Sequence, residues 1–181
     1  IEQAGHYMLA PDTAQIRTTV LDIVSDVRTL SLDQSFVIRV QDNTLRMDTM
    51  RVSADNGAFL EVGLPILSAQ EQRGYIHGNA LNTAVIQNSI LGESYFEGLL
   101  SGQFEFSRRD TNLTAGGELL ISEVTFADTD IDSFFVEGQV RDERLDGFLS
   151  VRNEGAQLVN GALQLPFKLG DPEELPASFF F

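Results

Sequence analysis

Apolar residues recur at every second position over most of this chain, the period at which side chains return to the same face of a β-sheet. Phe36, Ile38 and Val40 alternate with Val37, Arg39 and Gln41, and Leu45 and Met47 alternate with Arg46 and Asp48. After Ala54-Asp55-Asn56-Gly57 the pattern resumes at Leu60, Val62 and Leu64. There the Asn-Gly pair supplies the positive φ angles of a tight hairpin. The second half repeats the arrangement: Gly102, Phe104 and Phe106 form one set, and Leu119 and Ile121, then Val124 and Phe126, form the next. The one-residue slip within that set suggests a bulge. Phe134, Val136, Gly138 and Val140 lead through Arg141-Asp142-Glu143-Arg144 into Leu145, Gly147, Leu149 and Val151. Asn153-Glu154-Gly155 then turns the chain, and Leu163, Leu165 and Phe167 make the last strand before Gly170-Asp171-Pro172 stops further pairing.

Two segments read less simply. Ile16, Val20, Ile23, Val24, Val27 and Leu30 also fit a helical face, with Asp12 and Gln15 as a capping pair. Eight of the seventeen residues from Ala14 to Leu30 are β-branched, however, and such side chains pack better on a pleated surface. The expectation is a strand with at most one helical turn between Leu21 and Val27. From Asn79 to Leu91 the apolar positions fit a short helix or an irregular strand. Several strands carry apolar groups on both faces, as at Phe36-Val37, Phe59-Leu60, Phe134-Phe135, Phe148-Leu149 and Leu158-Val159. Either both faces are covered, which is the commoner arrangement, or one face is an apolar surface open to something non-polar.

Composition narrows the class. At 181 residues the chain suits one domain with a sizeable core. No run of eighteen apolar residues or basic-then-apolar leader is present, so neither a membrane span nor an unprocessed signal peptide is expected. Twenty-seven acidic against twelve basic residues give a net charge of −15, which repels phosphate backbones and makes nucleic acid a poor partner. The absence of cysteine removes disulfides, thiolate catalysis and zinc-thiolate sites.

The stretch Gly117-Glu118-Leu119-Leu120-Ile121, followed by Gly138-Gln139-Val140-Arg141-Asp142-Glu143-Arg144-Leu145, resembles the repeat style of TamB and AsmA-like envelope proteins. In that style a G-x-L-x-I strand leads to an x-V-x-D-x-x-L strand. Thr44 to Ser53 and Gly57 to Gly63 read the same way, so the likeness runs from about Phe36 to Leu169. It departs from the pattern between Leu81 and Phe96, where alternation lapses. The resemblance implies an elongated, curved antiparallel or mixed sheet folded into a trough, the β-taco, with an apolar concave face. A β-sandwich is the alternative. The chain, a single β-rich domain over residues 1–181, would be a segment of a longer periplasmic protein anchored in the inner membrane. Its partners would be phospholipid or other acyl chains, an outer-membrane assembly protein and the remainder of the parent chain. The role implied is inter-membrane lipid transport or outer-membrane protein assembly.

On this reading the groove is lined by Phe36, Ile38, Leu45, Met47, Leu60, Val62, Phe104, Phe106, Ile121, Val136, Leu149, Leu163 and Leu165, provided each strand has been given the right parity. Acyl chains need only continuous apolar surface, so neither a cofactor nor a catalytic residue is expected. The competing classes are an adhesin-like interaction domain and a carboxylate-dependent hydrolase using pairs among Glu118, Glu123, Asp128, Asp130 and Asp132. No G-x-S-x-G elbow, P-loop or G-x-G-x-x-G is present. Ser94 and Ser101 have only His77 near them in sequence. His6 and His77 lack metal-ligand spacing, and Asp128-Thr129-Asp130-Ile131-Asp132 has Ser133 and Gln139 where a calcium loop needs glycine and glutamate. The terminal Phe179-Phe180-Phe181 suits a docked strand or a longer parent chain.

Overall fold

The computed structural model describes residues 2–10, 13–24, 29–84, 86–87, 93–110, 112–126, 129–141 and 143–166. They form β1 (Glu2–Ala10), β2 (Thr13–Val24), β3 (Thr29–Leu32), β4 (Phe36–Gln41), β5 (Thr44–Ser53) and β6 (Phe59–Leu67). The second half supplies β7 (Glu71–Asn82), β8 (Glu97–Arg109), β9 (Asn112–Phe126), β10 (Thr129–Arg141), β11 (Arg144–Asn153) and β12 (Ala156–Pro166). All twelve belong to one sheet in chain order, with β3 and β4 sharing the place between β2 and β5. Every pairing is antiparallel. The described strands are therefore neither a mixed sheet nor the two packed sheets of a sandwich.

Local chemistry explains the connections. Asp42 and Asn43, at φ 49° and 58°, form the two-residue link from β4 to β5, and Glu154 and Gly155, at 51° and 73°, form the one from β11 to β12. Two successive positive φ values are what a tight hairpin needs to match strand twist. The β5–β6 turn differs from its expected form. Only Gly57 has positive φ there, and the Ala54 and Gly57 N–H groups donate to Ala58 O and Ala54 O at 2.9 and 3.0 Å. The loop is longer than two residues, so one left-handed glycine closes it.

The slip between Ile121 and Val124 is a bulge: the β8–β9 register shifts there and Glu123 has φ 55°. The Ala14–Leu30 segment is strand through β2 and β3, and residues 25–28, within the helical turn considered for it, lie outside the described residues. From Asn79 the chain is strand to Asn82 and then helical at Thr83, Ala84, Ile86 and Gln87. Val85, Leu91, Asp128, Asp142, Phe167, Gly170-Asp171-Pro172 and the terminal phenylalanines also lie outside the described residues.

The hydrophobic core is thin: Phe36, Val37, Val52, Ala58, Leu81, Val124 and Val151 are the buried apolar residues among those described. Phe36 and Val37 are covered on both faces as expected, but Phe148, Leu149, Leu158 and Val159 are exposed on both. Adjacent apolar residues are both buried only at Phe36 and Val37 among these five pairs. Val52 is fully buried while Val159 is 47% exposed. Val52→Ala is expected to cost about 2 kcal/mol and Val159→Ala under about 0.5 kcal/mol, measured by urea denaturation.

Candidate functional site

Cross-strand partners in an antiparallel sheet project to the same side, as do residues two apart in one strand. Leu60, Gly78, Gly102, Leu119, Val136, Leu149 and Gly161 form one row across β6 to β12. Val62, Ile76, Phe104, Gly117, Gly138, Gly147 and Leu163 form the next. Flanking these are Leu81, Leu100, Ile121, Phe134, Val151 and Val159 on one hand, and Gly74, Phe106, Ala115, Val140, Leu145 and Leu165 on the other. These four rows share what is here termed the Phe104 side.

Nine of the groove residues expected from sequence stand in these rows: Leu60, Val62, Phe104, Phe106, Ile121, Val136, Leu149, Leu163 and Leu165. The remaining four join them through β4 and β5. Ile38 pairs with Met47 and Met47 with Leu64, whose side chain lies over Gly74 beside the Phe106 ring. Leu45 pairs with Leu67, and Phe36 is one alternation from Ile38. The register therefore brings all thirteen to one side. Reading the sequence missed Gly74, Ile76 and Gly78, because glycine at two of three alternating positions hid β7.

From β8 to β12 the glycines on this side fall into two kinds. At Gly102 and Gly117 an added Cβ would stand 2.4 Å from the carbonyl oxygens of Glu118 and Gln103, so close backbone approach of β8 and β9 requires them. At Gly138 it would come no nearer than 4.0 Å to any atom, at Gly147 no nearer than 3.7 Å, and at Gly161 it would meet nothing. None of these three has positive φ. Neither backbone conformation nor packing asks for glycine there, yet glycine in a strand interior weakens the strand. Gly102, Phe104, Gly117, Val136 and Gly138 line a cavity of about 380 Å³. That lies within the range of roughly 300–1,000 Å³ common for ligand pockets.

The opposite side carries the charge. Arg51, Glu61, His77, Gln103, Glu118, Glu137 and Phe148 form its corresponding row. Arg51 pairs with Asp33 and Glu61 at 3.2 and 3.3 Å and lies 4.0 Å from the Phe59 ring centroid, while His77 meets that ring edge-on at 4.9 Å. Gln103 donates to Glu118 at 3.2 Å, and Tyr75 shares a 2.8 Å hydrogen bond with Thr49. A second cavity, of about 610 Å³, includes Glu105, Glu118, Glu137, Arg73 and Arg141. An apolar group interrupts this side at exposed Leu120 and Phe148 and half-buried Phe135, with the two rings 6.2 Å apart.

The catalytic and metal candidates are dispersed. Ser101 Oγ accepts from Ala80 N–H at 2.9 Å, Asp130 accepts from Thr125 at 2.9 Å, and Asp132 accepts from Gly155 N–H at 3.0 Å. His6 is on β1 and His77 on β7, Ser94 is exposed ahead of β8, and Glu123 occupies the bulge. Among the described residues no three histidine, aspartate or glutamate side chains group as a metal site. Tyr95 donates to Glu93, and that hydrogen bond, with a lesser contribution from desolvation, holds its phenol above the usual range.

No protein family, curated protein or solved structure matches this chain.

The two kinds of glycine are separable by stability. Gly102→Ala and Gly117→Ala are expected to cost about 1–3 kcal/mol through overpacking. Gly138→Ala should leave stability unchanged or raise it by up to about 1 kcal/mol, because alanine restricts the unfolded chain. Urea midpoints at equal m-value decide between these outcomes.

Proposed function

We propose that this chain is a non-enzymatic segment of a TamB or AsmA-like envelope protein whose Phe104 side is an apolar trough for lipid acyl chains. The observation that carries the reading is the coincidence of the 380 Å³ cavity with Gly138, a glycine that neither φ nor packing requires. Glycine inside a strand commonly marks close approach of a ligand or another backbone. Ile76, Phe104 and Val136, at 48%, 46% and 43% exposure, offer apolar surface around the same space. Each seated methylene gains about 0.8 kcal/mol, so a chain of modest length binds without specific polar contacts.

The β12 edge supports membership of a longer sheet. Its eleven residues carry no charge, and proline stands only at the last position. Edges that face water are ordinarily blunted by charge, proline or bulges, and of these β12 has within its length only the bulge opposite Val151 and Arg152. On this reading the rest of a parent chain covers it, in the periplasm, where the protein takes part in lipid movement between membranes or in outer-membrane protein assembly.

The competing reading is an adhesin-like interaction domain, favoured by the apolar group of exposed Leu120 and Phe148 with half-buried Phe135. Native mass spectrometry of the gently purified protein, with photocrosslinkers at positions 104 and 149, separates the two. Co-purified phospholipid crosslinked from both positions is expected, and Gly138→Leu should remove it without lowering the urea midpoint. A lipid-free protein with neither position reactive toward added phospholipid would overturn the acyl-chain reading and favour the interaction domain.

A further inference from the structure

On the Phe104 side, the row formed by Leu67, Gln72, Arg108 and Leu113 lies one alternation beyond Phe106. From the row of Leu100 and Ile121 to this one, Arg108 is, among the described residues, the single charged residue that the register of β6 to β12 puts on that side. Glu61, Glu105, Glu118, Glu137 and Asp146 all fall opposite. The chain holds 27 acidic residues, and Arg39, Arg51, Arg73, Arg109 and Arg144 each pair with a carboxylate. Among the described residues Arg17, Arg46, Arg141 and Arg152, which fall on the opposite side, have no such pair, and neither has Arg108. Its Nε donates to the carbonyl oxygen of Asp110 at 2.9 Å, and its terminal nitrogens have no partner among the described residues. Gln72 is its direct cross-strand neighbour and is likewise without a side-chain hydrogen bond there.

A half-buried guanidinium beside apolar surface has lost part of its hydration without gaining a counter-ion. Its two terminal nitrogens present a fork suited to a carboxylate or phosphate, and the Gln72 amide adds donors. Arg108 is four residues from Phe104, about 13 Å along the strand, and Phe104 lines the cavity. A molecule anionic at one end and apolar along its length matches both features at once.

We infer that Arg108, assisted by Gln72, holds the anionic headgroup, carboxylate or phosphate, of an amphiphile whose chain lies along Phe106 and Phe104 into the glycine-floored cavity. This rests on the acyl-chain reading above and adds to it a ligand polarity: the head sits at the Arg108 rim and the tail inside. The other described residues of these rows are uncharged and give the tail no competing anchor.

Displacement of a fluorescent fatty acid by dodecanoate, dodecyl phosphate, dodecanol and inorganic phosphate tests the assignment. The wild type is expected to bind the two anionic amphiphiles roughly tenfold more tightly than dodecanol, as one charge-assisted hydrogen-bond pair allows. Arg108→Gln should abolish that preference while leaving dodecanol binding and the urea midpoint unchanged. Arg108→Lys should retain part of it, and Arg109→Gln, on the opposite side, all of it. Equal affinity for dodecanol and dodecanoate in the wild type, or a preference that survives in Arg108→Gln, would overturn the headgroup assignment and leave the acyl-chain site standing. Inorganic phosphate competing as well as dodecyl phosphate would overturn it in favour of a free-anion site. Binding of none of the chain-bearing probes would overturn both readings.

Discussion

One continuous antiparallel ladder holds every other feature of this molecule in place. With so few buried apolar side chains, the strands are fixed mainly by backbone hydrogen bonds and cross-strand neighbours. In a ladder of this kind a one-residue slip sends each side chain to the other side, so register and sidedness are the same property. Four irregularities show how that property is kept. Register shifts fall between Met47 and Met50, between Leu64 and Leu67, between Gly78 and Leu81, and between Ile121 and Val124. In each, two residues of the same set stand three apart instead of two. The bulge absorbs the odd residue, and both members project to the Phe104 side.

That spacing also explains what was legible before the fold was known. Period-two alternation marked most of the strands and their parity, and all thirteen expected groove residues share a side because the apolar set outweighs its interruptions. The i, i+3 step was recognised only at Ile121 and Val124, where the residues on both flanks are plainly apolar. At Gly78 and Leu81 the same step was invisible, since a glycine carries no hydrophobic signal, and β7 before Asn79 was lost with it. The Ala54–Ala58 turn misled for another reason: an Asn-Gly pair does not state how long its loop is. Arg108 could have been found by extending the Phe104 and Phe106 alternation one step further.

Glycine serves two opposed purposes on this sheet. Between β8 and β9 it permits a backbone approach that no side chain would tolerate, and Gly102 and Gly117 are therefore part of how the sheet is built. At Gly138, Gly147 and Gly161 the space above the backbone stays open, and the sheet sacrifices strand stability without improving its own packing. Only the first kind is explained by folding alone. The second is explained by whatever occupies that space.

The distribution of charge leads to the same place by a different route. Glu118 and Glu137 are direct cross-strand partners, a like-charge arrangement that ordinarily destabilises a sheet. In water, with high dielectric and mobile ions, the repulsion is small, so one permanently wet side can carry the acidic excess. Ile76, Phe104 and Val136 are nearly as open to solvent in this structure, yet no carboxylate shares their rows. If both sides always faced water, nothing physical would keep acids from one of them. A side that is periodically covered by something apolar would have to strip the hydration from any carboxylate it held, at several kcal/mol for each unpaired charge. Segregation of this kind is what a transient apolar occupant would impose, and a lone arginine at the rim is the one charge such an occupant would gain from meeting.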